Sequence, residues 1–176
     1  LGNKNPRLRI TLAQTLAQLG DDISAINQMR ALVSEEPELA DARLYLATLL
    51  IQNNEPTGAV QQCEDLLQFA PDHIHARQLL AQAQIQMYGS RLAQDTAARQ
   101  IKNLILSLPK DGPDLVKTVL LKFQFSLQTG DLAAAKDFLT QLENIAPDET
   151  ETAIAAADLF IAQDKHSAAV EKLKTA

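Results

Sequence analysis

The chain has 176 residues, 46% of them hydrophobic, which is enough apolar material for a folded core and excludes a disordered tail. Its 22 acidic residues outnumber its 16 basic ones and give a formal net charge of −6. Proteins that bind nucleic acid or anionic membranes need a cluster of basic residues, and the sequence has none of sufficient size. No apolar run approaches the roughly 18 residues that span a bilayer. We therefore expect no nucleic-acid partner and no direct membrane insertion of this segment.

The first segment reads as two helices. Pro6 suits the first position of a helix, because its missing N–H has no partner to lose there. Gly20 ends this helix, and a second one is predicted from about Ile23 to just before Pro37. The apolar residues of the first helix recur at helical spacing, namely Leu8, Leu12, Leu16 and Leu19. Those of the second are Ile26, Met29, Leu32 and Val33.

Later segments repeat this two-helix pattern. One pair of apolar helical runs flanks a turn at Asn53–Pro56, and another flanks Gly130–Asp131. The first pair contains Leu46, Leu49 and Leu50, then Val60, Cys63, Leu66 and Leu67. The second contains Leu120, Phe123 and Leu127, then Ala135, Phe138, Leu142 and Ile145. Because no segment alternates with period 2, the sequence predicts an all-α fold.

Turn-forming and small residues recur at one fixed interval. The pairs separated by 34 residues are Pro37 and Pro71, Ala25 and Ala59, Ala135 and Ala169, Gly20 and Asn54, and Gly130 and Asp164. Pro71, Pro109 and Pro147 are separated by 38, which indicates four extra residues in two of the units. We place these insertions near Gly89–Thr96 and Lys110–Pro113. An interval of this length is typical of a helical repeat protein.

The unit length, the small residues and the proline after the second helix resemble the tetratricopeptide repeat family. The small residues in the second helices are Ala25, Ala59, Ala97, Ala135 and Ala169, and those in the first helices are Ala13, Ala47, Ala81 and Ala157. The family's early Trp is absent throughout, and its glycine before the turn is present in two units. The resemblance implies a right-handed superhelical solenoid of antiparallel helix pairs.

The resemblance also gives a domain organisation. We expect residues 1–5 to be an N-terminal tail and residues 6–176 to be a single domain. Its repeats cover about 6–39, 40–73, 74–111, 112–149 and 150–176, the last being incomplete. Solenoids need capping elements over their terminal apolar faces. We therefore expect either that the native chain continues or that another copy or another protein covers this end.

In such a solenoid the first helices line the concave face, where the family typically binds peptides. Following one helix face from unit to unit predicts a partner-binding row of Gln14, Gln18, Thr48, Gln52, Gln82, Gln86, Gln124 and Gln128. The same face also carries Arg7, Ile10, Asp41, Leu44, His75, Gln78, Lys117 and Leu120. Glutamine both donates and accepts hydrogen bonds, so the row could bind a peptide main chain. Glutamine is also a common helix-surface residue, which is the alternative explanation. Recurring Lys, Arg and Asn, which the family uses to bind a C-terminal carboxylate, are absent from these positions.

The remaining chemically active residues have structural explanations. Asp72, His73 and His75 could approach a metal, but His residues two positions apart point in different directions on a helix, and a solvated helix start accounts for them. Cys63 shares helical spacing with apolar residues and is predicted to be buried. His166 is predicted to be solvated. We predict no catalytic residue, no metal site and no cofactor.

The sequence favours a bacterial-type adaptor that binds a peptide or partner protein through its concave face, rather than an enzyme. The alternative is a structural assembly or oligomerisation segment of a larger envelope, secretion or biogenesis protein, with self-association through the uncapped C-terminal end. A regulatory region of an enzyme whose catalytic part lies elsewhere is a third hypothesis. Either the cytoplasm or the periplasm is compatible with this soluble segment.

Overall fold

A computed structural model of the chain describes residues 5–89 and 97–174. Within these ranges it contains ten α-helices and no β-strand, which confirms the predicted all-α fold. The helices are α1 (Pro6–Gln18), α2 (Asp22–Glu35), α3 (Ala40–Gln52), α4 (Pro56–Phe69), α5 (Ile74–Tyr88), α6 (Ala97–Leu106), α7 (Leu115–Gln128), α8 (Leu132–Ile145), α9 (Thr150–Ala162) and α10 (His166–Lys174).

The chain forms two compact units, Leu1–Met87 and Tyr88–Ala176. In the first unit α1 packs on α2, α2 on α3 and α3 on α4. In the second unit α7 packs on α6 and α8, and α9 packs on α8 and α10. The single domain with five repeats stays a prediction. Most of the predicted tail and most of the first predicted insertion lie outside the described residues.

Four of the turns between paired helices share one backbone geometry. The residues at positive φ are Gly20 (80°), Asn54 (60°), Gly130 (78°) and Asp164 (59°), which are the turn residues of the sequence period. At the end of α3, for example, Glu55 N–H donates to Leu50 O at 2.8 Å and Asn54 N–H donates to Ile51 O at 3.2 Å. This pair of bonds is the Schellman motif, which satisfies carbonyls that a helix end leaves without partners.

The small residues predicted to lie between helices are all buried. Their exposed fractions range from 0% at Ala59 to 8% at Ala97. The full set is Ala13, Ala25, Ala47, Ala59, Ala81, Ala97, Ala135, Ala157 and Ala169. Because alanine ends at Cβ, the helix backbones can approach closely at these positions. Larger side chains fill the remaining space, with Met29 and Leu46 buried in the first unit and Phe123 and Leu142 in the second.

The exposure of two helix faces could not be inferred from helical spacing alone. The leucine stripe of α1 correctly marked a helix, but Leu8, Leu12 and Leu19 are exposed by 53%, 48% and 78%. Helical spacing identifies the apolar side of a helix without showing that another element covers it. Gln78, which we placed on the binding face, is instead fully buried.

The two units anchor the start of a first helix by different bonds. In the first unit Arg43, which is only 9% exposed, donates from Nε to Pro37 O at 2.6 Å and from Nη1 to Gln62 Oε1 and Asp65 Oδ2. In the second unit the buried Thr152 hydroxyl donates to Ala146 O at 2.7 Å. In each unit one of these bonds, from Arg43 to Pro37 O or from Thr152 to Ala146 O, joins a first helix to a carbonyl of the loop that precedes it.

Candidate functional site

The first unit contains an open pocket between α1 and α3, with a volume of about 470 Å³. Its lining residues from α1 are Arg7, Ile10, Thr11 and Gln14, and those from α3 are Asp41, Leu44, Tyr45 and Thr48. All eight lie on the faces of two successive first helices, which contact each other in the first unit. Two members of the predicted row, Gln14 and Thr48, therefore line a single pocket.

The threonines of this pocket have their hydroxyl protons engaged within their own helices. Thr11 Oγ1 donates to Arg7 O at 3.0 Å, and Thr48 Oγ1 donates to Leu44 O at 2.9 Å. A hydroxyl that donates in this way still has lone pairs that can accept. Both threonines therefore present acceptors to a ligand.

Tyr45 adds a group that can both donate and accept. Burial, and secondarily the nearby charge of Asp22, raises the pKa of the Tyr45 hydroxyl above its ordinary value of 10.0. Both effects disfavour the phenolate, so the hydroxyl keeps its proton at neutral pH. Together with the exposed amide of Gln14, it gives the pocket hydrogen-bonding groups of both kinds.

The pocket combines these polar groups with apolar and charged ones. Ile10 and Leu44 are partly buried and provide apolar contact surface. Arg7 and Asp41 are exposed and carry opposite charges. Such a lining can contact a peptide main chain and one or two apolar side chains without favouring a ligand of strong net charge.

The other predicted residues of the first unit surround the pocket or serve the fold. Gln18 and Gln52 are exposed on α1 and α3 and are not among the lining residues. Gln82 is partly buried on α5. Gln86 donates from Nε2 to Ile51 O at 3.2 Å and to Asn54 Oδ1 at 3.1 Å, so its donor ties α5 to the end of α3.

Gln124 and Gln128 belong to the second unit, where both are exposed on α7. The continuous row of eight residues thus stays a prediction, and the pocket contains two of its members.

Two lining residues were missed by the sequence reasoning. Thr11 and Tyr45 each follow a residue that we had placed on the binding face, Ile10 and Leu44. Following one residue per helical turn gives too narrow a face, because a pocket between two helices takes side chains from both sides of that line. Searching one position further along each helix would have found both residues.

The residues considered for metal binding serve a helix start. His73 Nδ1 accepts from Ala76 N–H at 3.3 Å, and the His73 and His75 rings lie 6.1 Å apart. Asp72, at the same helix start, forms an ion pair with Arg77 at 2.9 Å. Across residues 5–89 and 97–174 there is no cluster of His, Cys, Asp or Glu that could hold a metal.

Two further side chains lie where they were predicted. Cys63 is 1% exposed, as expected for a core residue. His166 is exposed at the first position of α10. Among the described helices, none is long and apolar enough to cross a bilayer.

Comparison with known proteins adds family information. The model of a tetratricopeptide repeat family matches residues 23–83. No functionally curated protein matches the sequence significantly. The three solved structures described next share 20% sequence identity or less with the chain, so their likeness concerns the fold.

These three structures come from bacteria. A thermophilic TPR protein of Thermus thermophilus has a TM-score of 0.78 and 18% identity, with 96% of this chain and 88% of that chain covered. A tetratricopeptide repeat protein of Parabacteroides merdae has a TM-score of 0.78 and 20% identity, with 98% and 64% covered. MamA of Desulfovibrio magneticus has a TM-score of 0.66 and 13% identity, with 98% and 93% covered. The fold is thus that of tetratricopeptide repeat solenoids.

Proposed function

Because residues 23–83 match a tetratricopeptide repeat family and the fold is that of tetratricopeptide repeat solenoids, we propose that the chain is an adaptor whose pocket between α1 and α3 binds an extended segment of a partner protein. The family's fold commonly serves as a protein–protein interaction scaffold, and its members are typically non-enzymatic. The pocket lies on the first helices, which were predicted to line the concave face.

The observation that carries this proposal is the lining of the pocket. Gln14 and Tyr45 can donate and accept, while Thr11 and Thr48 accept. A peptide in extended conformation presents both N–H and C=O groups, and these side chains match both. The volume of about 470 Å³ is in the range of ligand pockets.

The charges of the pocket favour a segment of low net charge. Arg7 and Asp41 offset each other, so neither an acidic nor a basic segment is preferred. This agrees with the absence of the recurring cationic residues with which relatives hold a C-terminal carboxylate. An internal, uncharged stretch of a partner is therefore the proposed ligand.

The test selects peptides from a random library displayed on phage and measures their affinities for the wild type and for a Gln14→Ala, Tyr45→Phe double variant. Two lost hydrogen bonds at about 1 kcal/mol each should weaken binding about thirtyfold. A matched control, Gln68→Ala combined with Gln141→Ala, changes exposed residues of second helices and should leave affinity unchanged.

The proposal would be contradicted if the selected peptides bound the wild type and the Gln14→Ala, Tyr45→Phe variant equally tightly. Failure to select any peptide would also contradict it. The wider row is tested separately by combining Gln52→Ala with Gln86→Ala. Unchanged affinity in that variant would remove those two residues from the binding site.

A second candidate function is self-association as an assembly segment. It is supported by apolar side chains that are about half exposed on the last two helices, namely Ile154, Ile161, Val170 and Leu173. Sedimentation velocity at several concentrations tests it, with an Ile161→Lys, Val170→Lys variant as the comparison. A chain that stays monomeric at all concentrations would contradict this candidate.

A further inference from the structure

The second unit contains a larger groove, enclosed by α6, α7 and α8, with a volume of about 860 Å³. It is lined by thirteen residues that lie between Ala98 and Phe138 in the chain, and it shares none with the pocket of the first unit. None of its lining residues belongs to the predicted glutamine row. The groove is therefore a feature that the proposed function does not use.

The groove has an apolar floor. Ile105 is 3% exposed, and the rings of Phe125 and Phe138 are partly buried along it. Leu106, which also lines the groove, is 56% exposed. Apolar side chains that line a concave site offer contact surface to another molecule, because covering them removes apolar surface from water.

Cationic residues surround this floor. Arg99 and Lys102 are exposed on α6 three positions apart, so they share one side of the helix, and Lys122 is partly exposed on α7. Within the described ranges, none of the three forms an ion pair. Several arginines of the first unit do pair with carboxylates, namely Arg9, Arg30, Arg43 and Arg77. The cations of the groove are thus available to a ligand.

One carboxylate, that of Asp131, also lines the groove. Its Oδ1 accepts from Ala134 N–H at 3.0 Å and caps the N-terminus of α8. The lining therefore carries three positive charges and one negative charge, in a chain whose net charge is −6. This local excess of positive charge is the reverse of the charge of the whole protein.

We propose that this groove binds an acidic, amphipathic segment of a partner protein. The apolar side chains of the segment pack on Phe125 and Phe138, and its carboxylates pair with Arg99, Lys102 and Lys122. Charge-assisted hydrogen bonds from Arg to carboxylates are stronger than neutral ones and orient the segment. Nucleic acid is a poorer ligand, because three cations neutralise few phosphates and the floor is apolar.

The test uses synthetic peptides in which Glu residues alternate with pairs of Leu and Phe. One matched peptide has Gln in place of every Glu, and another has Ser in place of every Leu and Phe. Fluorescence anisotropy with the whole chain measures their affinities. The acidic apolar peptide should bind at least about tenfold more tightly than either matched peptide, because each of these lacks one of the two contributions.

Variants of the protein locate the binding site. Arg99→Gln combined with Lys102→Gln should weaken binding about tenfold, since both sites are partly solvated. The matched control is Lys110→Gln combined with Lys136→Gln, which removes the same charge from exposed positions outside the groove and should have little effect. Ala98→Phe, which places a ring in the groove, should also weaken binding while circular dichroism reports an unchanged helix content.

Three results would overturn the proposal: no peptide binds, the acidic and Gln peptides bind equally, or both charge variants lower affinity to the same extent. Vesicles containing anionic lipid form a separate arm, and binding to vesicles without binding to the acidic peptide would also overturn it. The Gln14→Ala, Tyr45→Phe variant should still bind the acidic peptide with wild-type affinity. This result makes failure of the groove proposal distinguishable from failure of the function proposed for the first-unit pocket.

Discussion

The two units of this protein are built by the same packing rules but present different surfaces. Both place alanine where helices approach, and both end first helices with a residue at positive φ. The first unit opens a polar pocket between α1 and α3, whereas the second opens an apolar groove with cationic edges. The comparison teaches that the repeat pattern specifies the scaffold, while the residues outside that pattern differ between units and are free to specify ligands.

The largest expected effect tests whether both scaffolds depend on the small residues. Ala59→Leu in the first unit and Ala135→Leu in the second should each lower the free energy of unfolding by roughly 1–3 kcal/mol, because both alanines are fully buried. Urea denaturation followed by circular dichroism measures this. Ala31→Leu and Ala133→Leu are exposed controls and should change stability little. If only one of the two substitutions lowered stability, the two units would not share the same dependence on alanine where helices approach.

The next prediction concerns the bonds that anchor a first helix in each unit. Arg43→Met removes the hydrogen bonds that the guanidinium donates to Pro37 O and to the Asp65 carboxylate. It should lower the free energy of unfolding by about 2 kcal/mol, because hydrogen bonds that involve charged groups are stronger than neutral ones. Thr152→Val removes one neutral bond and should cost about 1 kcal/mol. Thermal and urea unfolding measure both.

The control for this pair is Arg30→Met, which breaks an ion pair whose side chains are 51% and 42% exposed. Exposed ion pairs contribute little, so its effect should stay below about 1 kcal/mol. If Arg30→Met and Arg43→Met cost the same, the buried position of Arg43 has no special importance.

Much of the scaffold could be predicted from the sequence because its determinants are local. The 34-residue spacing identified Gly20 and Asn54 as turns, and both have positive φ. The same spacing identified alanines such as Ala25 and Ala59, and both are buried. A residue type that is required at one place in every unit leaves a periodic signal.

The surfaces could be predicted less well because their determinants are not periodic. The sequence placed Gln14 and Thr48 on one face, but it missed Tyr45, which lines the same pocket. It gave no sign of the groove in the second unit. That groove depends on the space between three helices. Residues such as Phe125 and Phe138 would have the same spacing in the sequence whether a neighbouring element buried them or left them lining a groove. Helical periodicity shows which face of a helix a side chain lies on, whereas a cavity depends on the distance between helices.

A smaller effect is expected at the turns. Gly130→Ala should cost about 1–2 kcal/mol, because its φ of 78° disfavours any residue with a Cβ, although no atom lies within 4 Å of the added carbon. Asn54→Gly in the first unit should change stability by at most about 1 kcal/mol. Glycine adopts the same φ without strain, but it loses more chain entropy and the exposed hydrogen bond from Gln86. Urea denaturation of both variants tests whether one turn geometry serves both units.

The smallest effect should come from Asp158 on α9. The first unit pairs several carboxylates with arginines, whereas partial burial raises the pKa of Asp158 above its ordinary value of 3.8. A raised pKa means that the folded state disfavours the charged form, so ionisation of this group destabilises the protein. The loss of stability caused by ionising Asp158 is absent below the ordinary pKa. It develops as pH rises through the ordinary and the raised pKa and is constant above both. Asp158→Asn should therefore be slightly more stable than wild type at neutral pH and equal to it in strong acid, as measured by urea unfolding at both. A variant less stable than wild type at neutral pH would show that the Asp158 carboxylate makes a favourable interaction, like the paired carboxylates of the first unit.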